Sequence, residues 1–372
     1  MSWQEELANN TISAIDLKDK MKLSDDQVEK LDEILTHFPM SITKYYLDLC
    51  DFDDPNDPIL KMAIPSIDET NITDGSFDTS GEASNTIIQG MQHKYQETVM
   101  ILSSNLCAMY CRHCFRKRLV GLDNDEIANN FNDMAKYVSE HKEISNVLIS
   151  GGDSFVNSNE RIKQMLDLFS EIDHLDFIRF GTRTPVVFPS RIYEDQELLD
   201  ILSAYNKKKQ IYVVTHFNHP KELTSESKRA IKALTDIGIS IRNQTVLLKG
   251  VNDNPDVLAK LLKDLTINNI TPYYIFQCRP VVGVINQFQV PLLDGYEIVQ
   301  KAKNVQNGFG KNVRYGMSHV TGKIEIVGSI GNNELIFKYH EVKDLEDHGK
   351  VFKYKLEDKQ AWLDDDFKPL DI

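Results

Sequence analysis

From Thr98 onward the chain alternates between short apolar segments and longer amphipathic ones. The short segments are typical of buried strands, and the longer ones repeat apolar residues at helical spacing. Strands separated by helices of this length indicate βαβ units and a parallel sheet. The predicted strands cover residues 98–103, 146–150, 177–181, 211–215, 240–246 and 271–276. The predicted helices cover residues 125–140, 159–172, 195–205, 224–237 and 255–267.

Six such repeats indicate an α/β protein built as a partial (β/α)6 barrel. The residues before it predict a helical N-terminal extension, in which Ser24 caps an apolar-periodic helix that runs to Phe38. Residues 66–91, rich in Asp, Ser, Thr and Gly, predict a surface connector. We therefore divide the chain into an extension with its connector (1–92), a barrel core (93–292) and a short C-terminal segment that contains β-structure (293–372).

Polar clusters follow the predicted strands, each directly after a strand ends. The carboxyl ends of parallel strands meet at one edge of a sheet, and ligands bind there. We therefore expect all six clusters to line one active-site opening. They are the cysteine loop that starts at Cys107, Gly151-Gly152-Asp153, Thr182-Arg183-Thr184-Pro185, His216-Phe217-Asn218-His219, Gln244 and Gln277-Cys278-Arg279.

Composition narrows the functional class. The chain has 372 residues and a formal net charge of −14, which argues against nucleic acid as its main partner. No apolar run is long enough to cross a membrane, so we expect a cytoplasmic protein. A local basic cluster at Arg112, Arg116, Lys117 and Arg118 still allows an anionic small molecule to bind.

Three of the five cysteines, Cys107, Cys111 and Cys114, lie within eight residues. Thiolates at these spacings can converge on an inorganic cluster, and three ligands leave one iron with an open coordination position. A zinc site completed by His113, or buried thiols without a function, are the alternatives, and the spacing alone does not separate iron–sulfur from zinc. Disulfides are not expected, and three adjacent reduced thiols imply a reducing compartment.

Four further features are candidates for binding or chemistry. Gly151-Gly152-Asp153 allows close approach of a ligand and supplies an acceptor, although the same residues form common tight turns. His216 is better suited to a hydrogen bond than to a metal pair with His219. Gln244, at a strand end, is suited to hydrogen-bonding a ligand ribose. Lys323 follows a glycine turn and precedes an apolar strand, a setting in which most lysines are solvated but a buried one suits Schiff-base chemistry.

Taken together these motifs resemble the lysine 2,3-aminomutase family of radical S-adenosylmethionine (SAM) enzymes. The resemblance covers roughly residues 20–342. It rests on Cys107–Arg118, Ser150-Gly-Gly-Asp153, Thr182-Arg-Thr-Pro-Val-Val187, Thr215-His-Phe-Asn-His-Pro220, Asn243–Asp253 and Pro272–Cys278, with supporting N-terminal similarity at Met40–Leu47, Asp54–Pro58 and Ala63–Ser66.

The resemblance implies the chemistry and the site. Cys107, Cys111 and Cys114 would hold a [4Fe-4S] cluster whose fourth iron binds SAM, and reduction would cleave SAM to a 5′-deoxyadenosyl radical. That radical would abstract hydrogen from carbon 3 of an amino acid held as an aldimine of pyridoxal 5′-phosphate (PLP), so that the amino group moves from carbon 2 to carbon 3. The cofactor contacts would be Gly151, Gly152, Asp153, His216 and Gln244 for SAM and Lys323 for PLP.

Substrate contacts and departures from the family pattern follow from the same comparison. Arg116 matches the arginine that grips the substrate α-carboxylate. Thr98 stands where the family has an arginine that contacts the PLP phosphate, and Val320-Thr321-Gly322 replaces a run of glycines before the PLP lysine. Arg279 replaces an acidic residue that receives the distant ammonium of lysine, so it favours an acidic amino acid such as glutamate, unless it faces solvent or binds the phosphate.

Two rival functions remain at this point, a radical SAM enzyme that works without PLP and a non-catalytic zinc-binding protein. The partners that we expect are a small amino-acid substrate and an electron donor such as flavodoxin or ferredoxin. We also expect a homo-oligomer.

Overall fold

The computed structural model describes residues 2–70, 74–122, 125–368 and 370. Its strands form one open sheet in which every strand pairs with its neighbours in chain order. The strands are β1 (Thr86–Ile88), β2 (Met91–Tyr95), β3 (Thr98–Ser104), β4 (Asn146–Gly151), β5 (Phe177–Gly181), β6 (Gln210–Thr215), β7 (Ser240–Leu247), β8 (Ile270–Gln277), β9 (Arg314–His319), β10 (Gly322–Gly331), β11 (Glu334–Val342) and β12 (Val351–Lys355).

The helices occupy an N-terminal extension, the connections between strands, and the approach to β9. They are α1 (Trp3–Ala8), α2 (Lys18–Met21), α3 (Asp25–His37), α4 (Lys44–Leu47), α5 (Pro58–Ala63), α6 (Glu82–Asn85), α7 (Phe131–Glu140), α8 (Asn159–Ser170), α9 (Thr184–Val187), α10 (Ser190–Tyr193), α11 (Gln196–Asn206), α12 (Ser225–Asp236), α13 (Pro255–Ile267), α14 (Ile285–Phe288), α15 (Leu292–Asn304) and α16 (Gly308–Lys311). Short 3-10 helices lie at Ile15–Leu17, Ile67–Thr70, Ser154–Val156, Pro220–Glu222 and Leu345–Asp347.

Strands β3 to β9 run parallel, and antiparallel strands flank them on both sides. Alternate residues such as Val147 and Ile149 are fully buried against the helices, as the period-2 geometry of a strand requires. The other face mixes polar and apolar side chains, among them Leu148 and Arg179. Lys94 of β2 donates to the carbonyl of His319 at the end of β9 at 2.6 Å, so the sheet nearly closes on itself. This arrangement confirms the predicted partial barrel.

The six predicted strands are all present, and the predicted helix after Ser24 is α3, which starts with a Ser24–Gln27 capping box. Sequence patterning missed β9, a seventh parallel strand, as well as the hairpin of β1 and β2. The predicted helix over 125–140 starts only at Phe131, because the side chain of Asn130 accepts from the Asp133 amide and caps the helix there.

The predicted surface connector over 66–91 is wrong in part. Residues 71–73 lie outside the described residues, but α6, β1 and the first residue of β2 belong to the folded unit. Glu69 and Glu82 are buried although their neighbours are polar. Their cationic partners lie in the cysteine loop, far away in the sequence, and local composition could not reveal them.

Among the described residues, none of the helices is both long enough and apolar enough to cross a membrane.

Candidate active site

The three clustered cysteines lie on the loop that follows β3, each partly exposed. Burial and the adjacent Cys111 raise the pKa of the Cys114 thiol to about 11. Burial, Asp153 and the two other thiols raise the pKa of Cys107 well above its ordinary value. A bound metal would lower the pKa values of Cys107 and Cys114 because it stabilises thiolate.

No group of three His, Cys, Asp or Glu side chains within the described ranges converges on a position for a single metal ion. An iron–sulfur cluster has a different requirement, because each thiolate binds a different iron. Three thiols on one loop are the number that such a cluster takes when one iron stays open to a ligand.

Gly151 and Gly152 bring the end of β4 directly against the cysteine loop. The Gly152 amide donates to the Ser104 carbonyl at 2.5 Å, and the Asp153 amide donates to the Leu106 carbonyl at 2.8 Å. A Cβ at Gly152 would collide with the Leu106 carbonyl group, and Gly151 has a φ of +113°. The two glycines are needed because the backbone of residues 104–106, which leads to Cys107, lies in direct contact with the backbone of Gly151 and Gly152.

The carboxylate of Asp153 is bound within the protein. It accepts from the Thr182 hydroxyl at 2.5 Å, the Phe155 amide at 2.9 Å and the Arg183 amide at 2.7 Å. Burial raises its pKa, although these three donors oppose the rise. Asp153 thus ties the loop after β4 to the loop after β5, and its predicted contact with SAM stays a prediction.

His216 directly follows β6, whereas Gln244 lies within the neighbouring strand β7 and not at its end as expected; the His216 ring contacts the Gln244 backbone. His216 Nδ1 is 2.9 Å from the Gln244 carbonyl oxygen. Burial, followed by the charge of Arg183, lowers the pKa of His216 to about 4, so its imidazole is neutral at pH 7. Because a carbonyl only accepts, the proton is assigned to Nδ1, and Nε2 remains able to accept a hydrogen bond from a ligand.

A buried ion triad fixes the cysteine loop to the N-terminal extension. Glu69 accepts from Arg112 Nε at 2.9 Å and from Lys117 Nζ at 2.5 Å, and Arg112 Nη1 also donates to the Pro39 carbonyl at 2.9 Å. The two cations outweigh burial and lower the pKa of Glu69. The basic cluster of the sequence is thus partly structural, since two of its four members neutralise one buried carboxylate.

A second buried carboxylate holds the other two basic residues of that cluster. Glu82 pairs with Arg116 at 2.9 Å and with Arg118 at 2.8 Å. Arg116 also donates to Ser150 Oγ and to the Gly151 carbonyl, each at 3.3 Å. Arg116, the predicted carboxylate-binding arginine of the cysteine loop, therefore lies beside the glycine turn.

Arg279 and Arg116 lie near the same aromatic ring, that of Phe115. The guanidinium carbons of Arg279 and Arg116 lie 4.2 and 4.5 Å from the centroid of Phe115. Arg279 Nη1 is buried and has no hydrogen-bond partner within the described part of the chain. Burial lowers the pKa of Arg279 to about 10, still far above neutrality, so it carries a charge that attracts an anion.

Lys323 lies on the inner face of the barrel at the start of β10. Its Nζ is 2.8 Å from Glu341 Oε2 of β11, and 5.0 Å from the ring centroid of Tyr274. The side chain is only 13% exposed, so most of it is removed from solvent. Lys323 therefore lies in the partly buried setting and not in the solvated one that is more common for such lysines, and its role as the PLP lysine stays a prediction.

Lys94 is a site residue that the sequence did not single out. Besides His319, its Nζ contacts the Ser80 carbonyl oxygen at 3.2 Å. Burial, then the charges of Arg279, Lys343 and Lys323, lowers the pKa of Lys94 to about 7. The positive charges of Arg279 and of Lys323 therefore both act on Lys94. No local signal marked it, because it lies in a polar segment outside the predicted strands.

A guanidinium also lies beside Thr98. Arg179 of β5 donates to Asn146 Oδ1 at 2.6 Å and contacts Thr98 Oγ1 at 3.5 Å. Its Nε is buried without a hydrogen-bond partner among the described residues. Burial lowers the pKa of Arg179, and the charge of Glu341 opposes this. A cation thus occupies the neighbourhood in which the family pattern has an arginine on β3.

The comparisons with known proteins identify the family of the chain. Residues 101–262 match the model of the Radical SAM superfamily. A putative L-lysine 2,3-aminomutase of Aquifex aeolicus is 36% identical over 94% of both chains. The L-lysine 2,3-aminomutase of Acetoanaerobium sticklandii is 37% identical over 82% of this chain and 73% of its own. A glutamate 2,3-aminomutase of Clostridioides difficile is 35% identical over 82% and 71%, respectively.

Identity above 30% over nearly the full length confirms the resemblance drawn from the motifs. Membership of the superfamily implies a [4Fe-4S] cluster and SAM, and the thiol set on the loop after β3 fits that cluster. The chain therefore belongs to the lysine 2,3-aminomutase family of radical SAM isomerases.

Proposed function

We propose that this enzyme is a PLP-dependent 2,3-aminomutase that moves the α-amino group of an acidic amino acid, such as glutamate, to carbon 3. The observation that carries the choice of substrate is Arg279, a charged guanidinium with a buried, unpaired Nη1 next to Arg116.

Arg279 is available to a ligand in a way that Arg116 and Arg118 are not. Glu82 binds both of those residues directly, whereas it influences Arg279 only electrostatically. A buried donor that lacks a partner costs free energy, and a substrate carboxylate would supply the partner. The ammonium of lysine at the same place would be repelled. The two arginines near Phe115 suit the two carboxylates of an acidic amino acid, with Arg116 on the α-carboxylate.

The residues on the inner face fit PLP. Lys323 supplies an amine that Glu341 holds in place at 2.8 Å, and the Tyr274 ring lies beside it. Arg179 and Lys94 supply positive charge for a phosphate, and neither forms an ion pair with a carboxylate among the contacts of the described residues. When bound, the cluster and SAM supply the hydrogen-abstracting radical, and PLP supplies the covalent attachment that permits the amino shift.

The protein would contribute orientation and exclusion of water. Asp153 and the glycine turn would position the part of the active-site opening that binds SAM. His216 Nε2 would accept a hydrogen bond near the adenosine of SAM, and the side-chain amide of Gln244 would lie near the same group. The N-terminal extension, held to the cysteine loop through Glu69, would shield part of that loop from solvent. Such shielding matters because a primary carbon radical must react with its substrate before it meets another hydrogen donor.

The decisive experiment reconstitutes the protein anaerobically with iron and sulfide, then supplies SAM, reductant, PLP and either glutamate or lysine. Mass analysis should show a β-amino acid from glutamate and little from lysine. Efficient turnover of lysine would contradict the proposed role of Arg279. A colourless protein that holds zinc and no iron would restore the zinc-binding alternative.

PLP attachment is tested separately. Borohydride should trap PLP on Lys323 of the wild-type protein, and Lys323→Ala should lose the trapped group. Lys338→Ala, on the exposed face of β11, is the matched control and should retain it. A wild-type protein that takes up no PLP would favour the radical SAM enzyme without PLP.

A further inference from the structure

Arg183, on the loop after β5, directly contacts Cys111 of the cysteine loop. Its Nη1 donates to the Cys111 sulfur at 2.8 Å. Its Nε donates to the His216 carbonyl at 3.2 Å, and its Nη2 lies 3.2 Å from the Tyr46 hydroxyl. The guanidinium is buried, and each of its three nitrogens has a partner on a different segment of the chain. Arg183 therefore has a fixed orientation toward one sulfur.

Glu222 supplies the counter-charge that holds this guanidinium. Its Oε1 accepts from Arg183 Nη2 at 2.5 Å and from the Tyr46 hydroxyl at 2.7 Å. Its Oε2 accepts from the amides of Asn218 and His219 at 2.6 and 3.0 Å. Because two backbone amides fix this carboxylate, the position of Arg183 is set by the fold and does not depend on the sulfur alone.

We propose that Arg183 raises the reduction potential of the iron–sulfur cluster through its hydrogen bond to the Cys111 thiolate, and that Glu222 limits the rise. The step concerned is the one-electron reduction of the [4Fe-4S] cluster from the 2+ to the 1+ state by an external reductant. Reduction adds negative charge to the cluster, and a cation that donates to a ligand sulfur stabilises the product more than the reactant. A negative charge next to that cation has the opposite effect.

The inference concerns the cluster that the superfamily implies, and it goes beyond the amino-acid chemistry proposed above. Solvent exposure and cluster charge also set such potentials. Here the direct contact with a ligand sulfur distinguishes Arg183 from Arg112, whose guanidinium is bound to Glu69 and to backbone carbonyls.

The test is a redox titration of the reconstituted protein followed by electron paramagnetic resonance of the reduced cluster, without amino acid and without PLP. Arg183→Gln should lower the ratio of reduced to oxidised cluster at a fixed potential by about tenfold, which corresponds to 59 mV for a one-electron couple. Glu222→Gln should shift that ratio in the opposite direction.

Arg191→Gln is the matched control. Arg191 is another buried arginine that follows β5, but it pairs with Asp195 at 2.6 Å and donates to the Phe155 carbonyl at 3.1 Å. Its loss should reduce stability and leave the potential unchanged.

An Arg183→Gln protein with full iron content and the wild-type potential would overturn the inference. If this variant fails to hold the cluster, Glu222→Gln decides, and a wild-type potential there would also overturn it. The outcome is independent of the substrate proposal. Absence of β-amino acid product from the wild-type enzyme would refute that proposal while leaving the shift in potential to be measured.

Discussion

Replacement of Gly152 by alanine should detach the cysteine loop from its support without removing any functional side chain. The new Cβ would lie 2.8 Å from the Leu106 carbonyl carbon and 2.9 Å from its amide nitrogen. Carbon–carbon contacts become favourable at about 3.5 Å, so Leu106 must retreat by at least roughly 0.7 Å, and its carbonyl oxygen, which would lie nearer still to the new Cβ, requires a larger shift. Overpacking of this kind costs about 1–3 kcal/mol. The displacement passes directly to Cys107, the next residue.

A shift of this size matters more for chemistry than for folding, since misplacement by about 1 Å can reduce a rate by about 100-fold. We therefore expect Gly152→Ala to remain folded by circular dichroism while its iron content and its rate of 5′-deoxyadenosine release fall sharply. Gly328→Ala is the control, because nothing lies within 4 Å of its added Cβ. Wild-type iron content together with wild-type SAM cleavage in Gly152→Ala would refute the reasoning.

Three further predictions concern charge. Glu69→Gln leaves Arg112 and Lys117 buried without their anion, so the free energy of unfolding measured with denaturant should fall by about 3–5 kcal/mol. Asp236→Asn is the control, because it removes only an exposed ion pair with Lys232, and the denaturant midpoint of unfolding should stay unchanged. Arg279→Asp should lower kcat/KM for glutamate by about 10- to 100-fold and admit lysine; equal turnover of both substrates before and after the change would contradict this. The pKa of His216 is about 4 in the folded protein and about 6.5 when unfolded, so the unfolded chain binds its proton first and stability should fall as pH drops from about 6.5 toward 4. His216→Gln should show a shallower fall over that range in melts at stepped pH.

The parallel part of the fold was predictable because its signals are local. Each of the six strands is a short apolar run, and a helix with its own period follows each of the first five. The strand β9 gave no such signal, because Arg314, Gly316 and Ser318 interrupt its apolar residues. Its place in the sheet depends on pairing with β8, a contact that no local pattern contains.

Some residues of the candidate site could likewise be predicted from the sequence, and others could not. The cysteines and the glycine turn could be predicted as site residues from the sequence, because their spacing is typical of a cluster-binding and ligand-binding motif. Glu69, Glu82 and Glu222 could not, because a carboxylate in a polar stretch is typical of the surface until its distant cation is known. Lys323 is intermediate: the resemblance to the family drew attention to it as a candidate, and only the structure shows its pairing with Glu341.

Within the described residues, the twelve strands neighbour one another in the sheet in the order in which they are synthesised. No strand has to be inserted between two that are already paired, so the sheet can lengthen at one edge as the polypeptide leaves the ribosome. The cysteine loop, after the third strand, would be in place early, and Lys323 and Glu341 would come together only when the tenth and eleventh strands are added. The loop that carries the proposed cluster ligands is thus synthesised before the strand that carries the proposed PLP lysine.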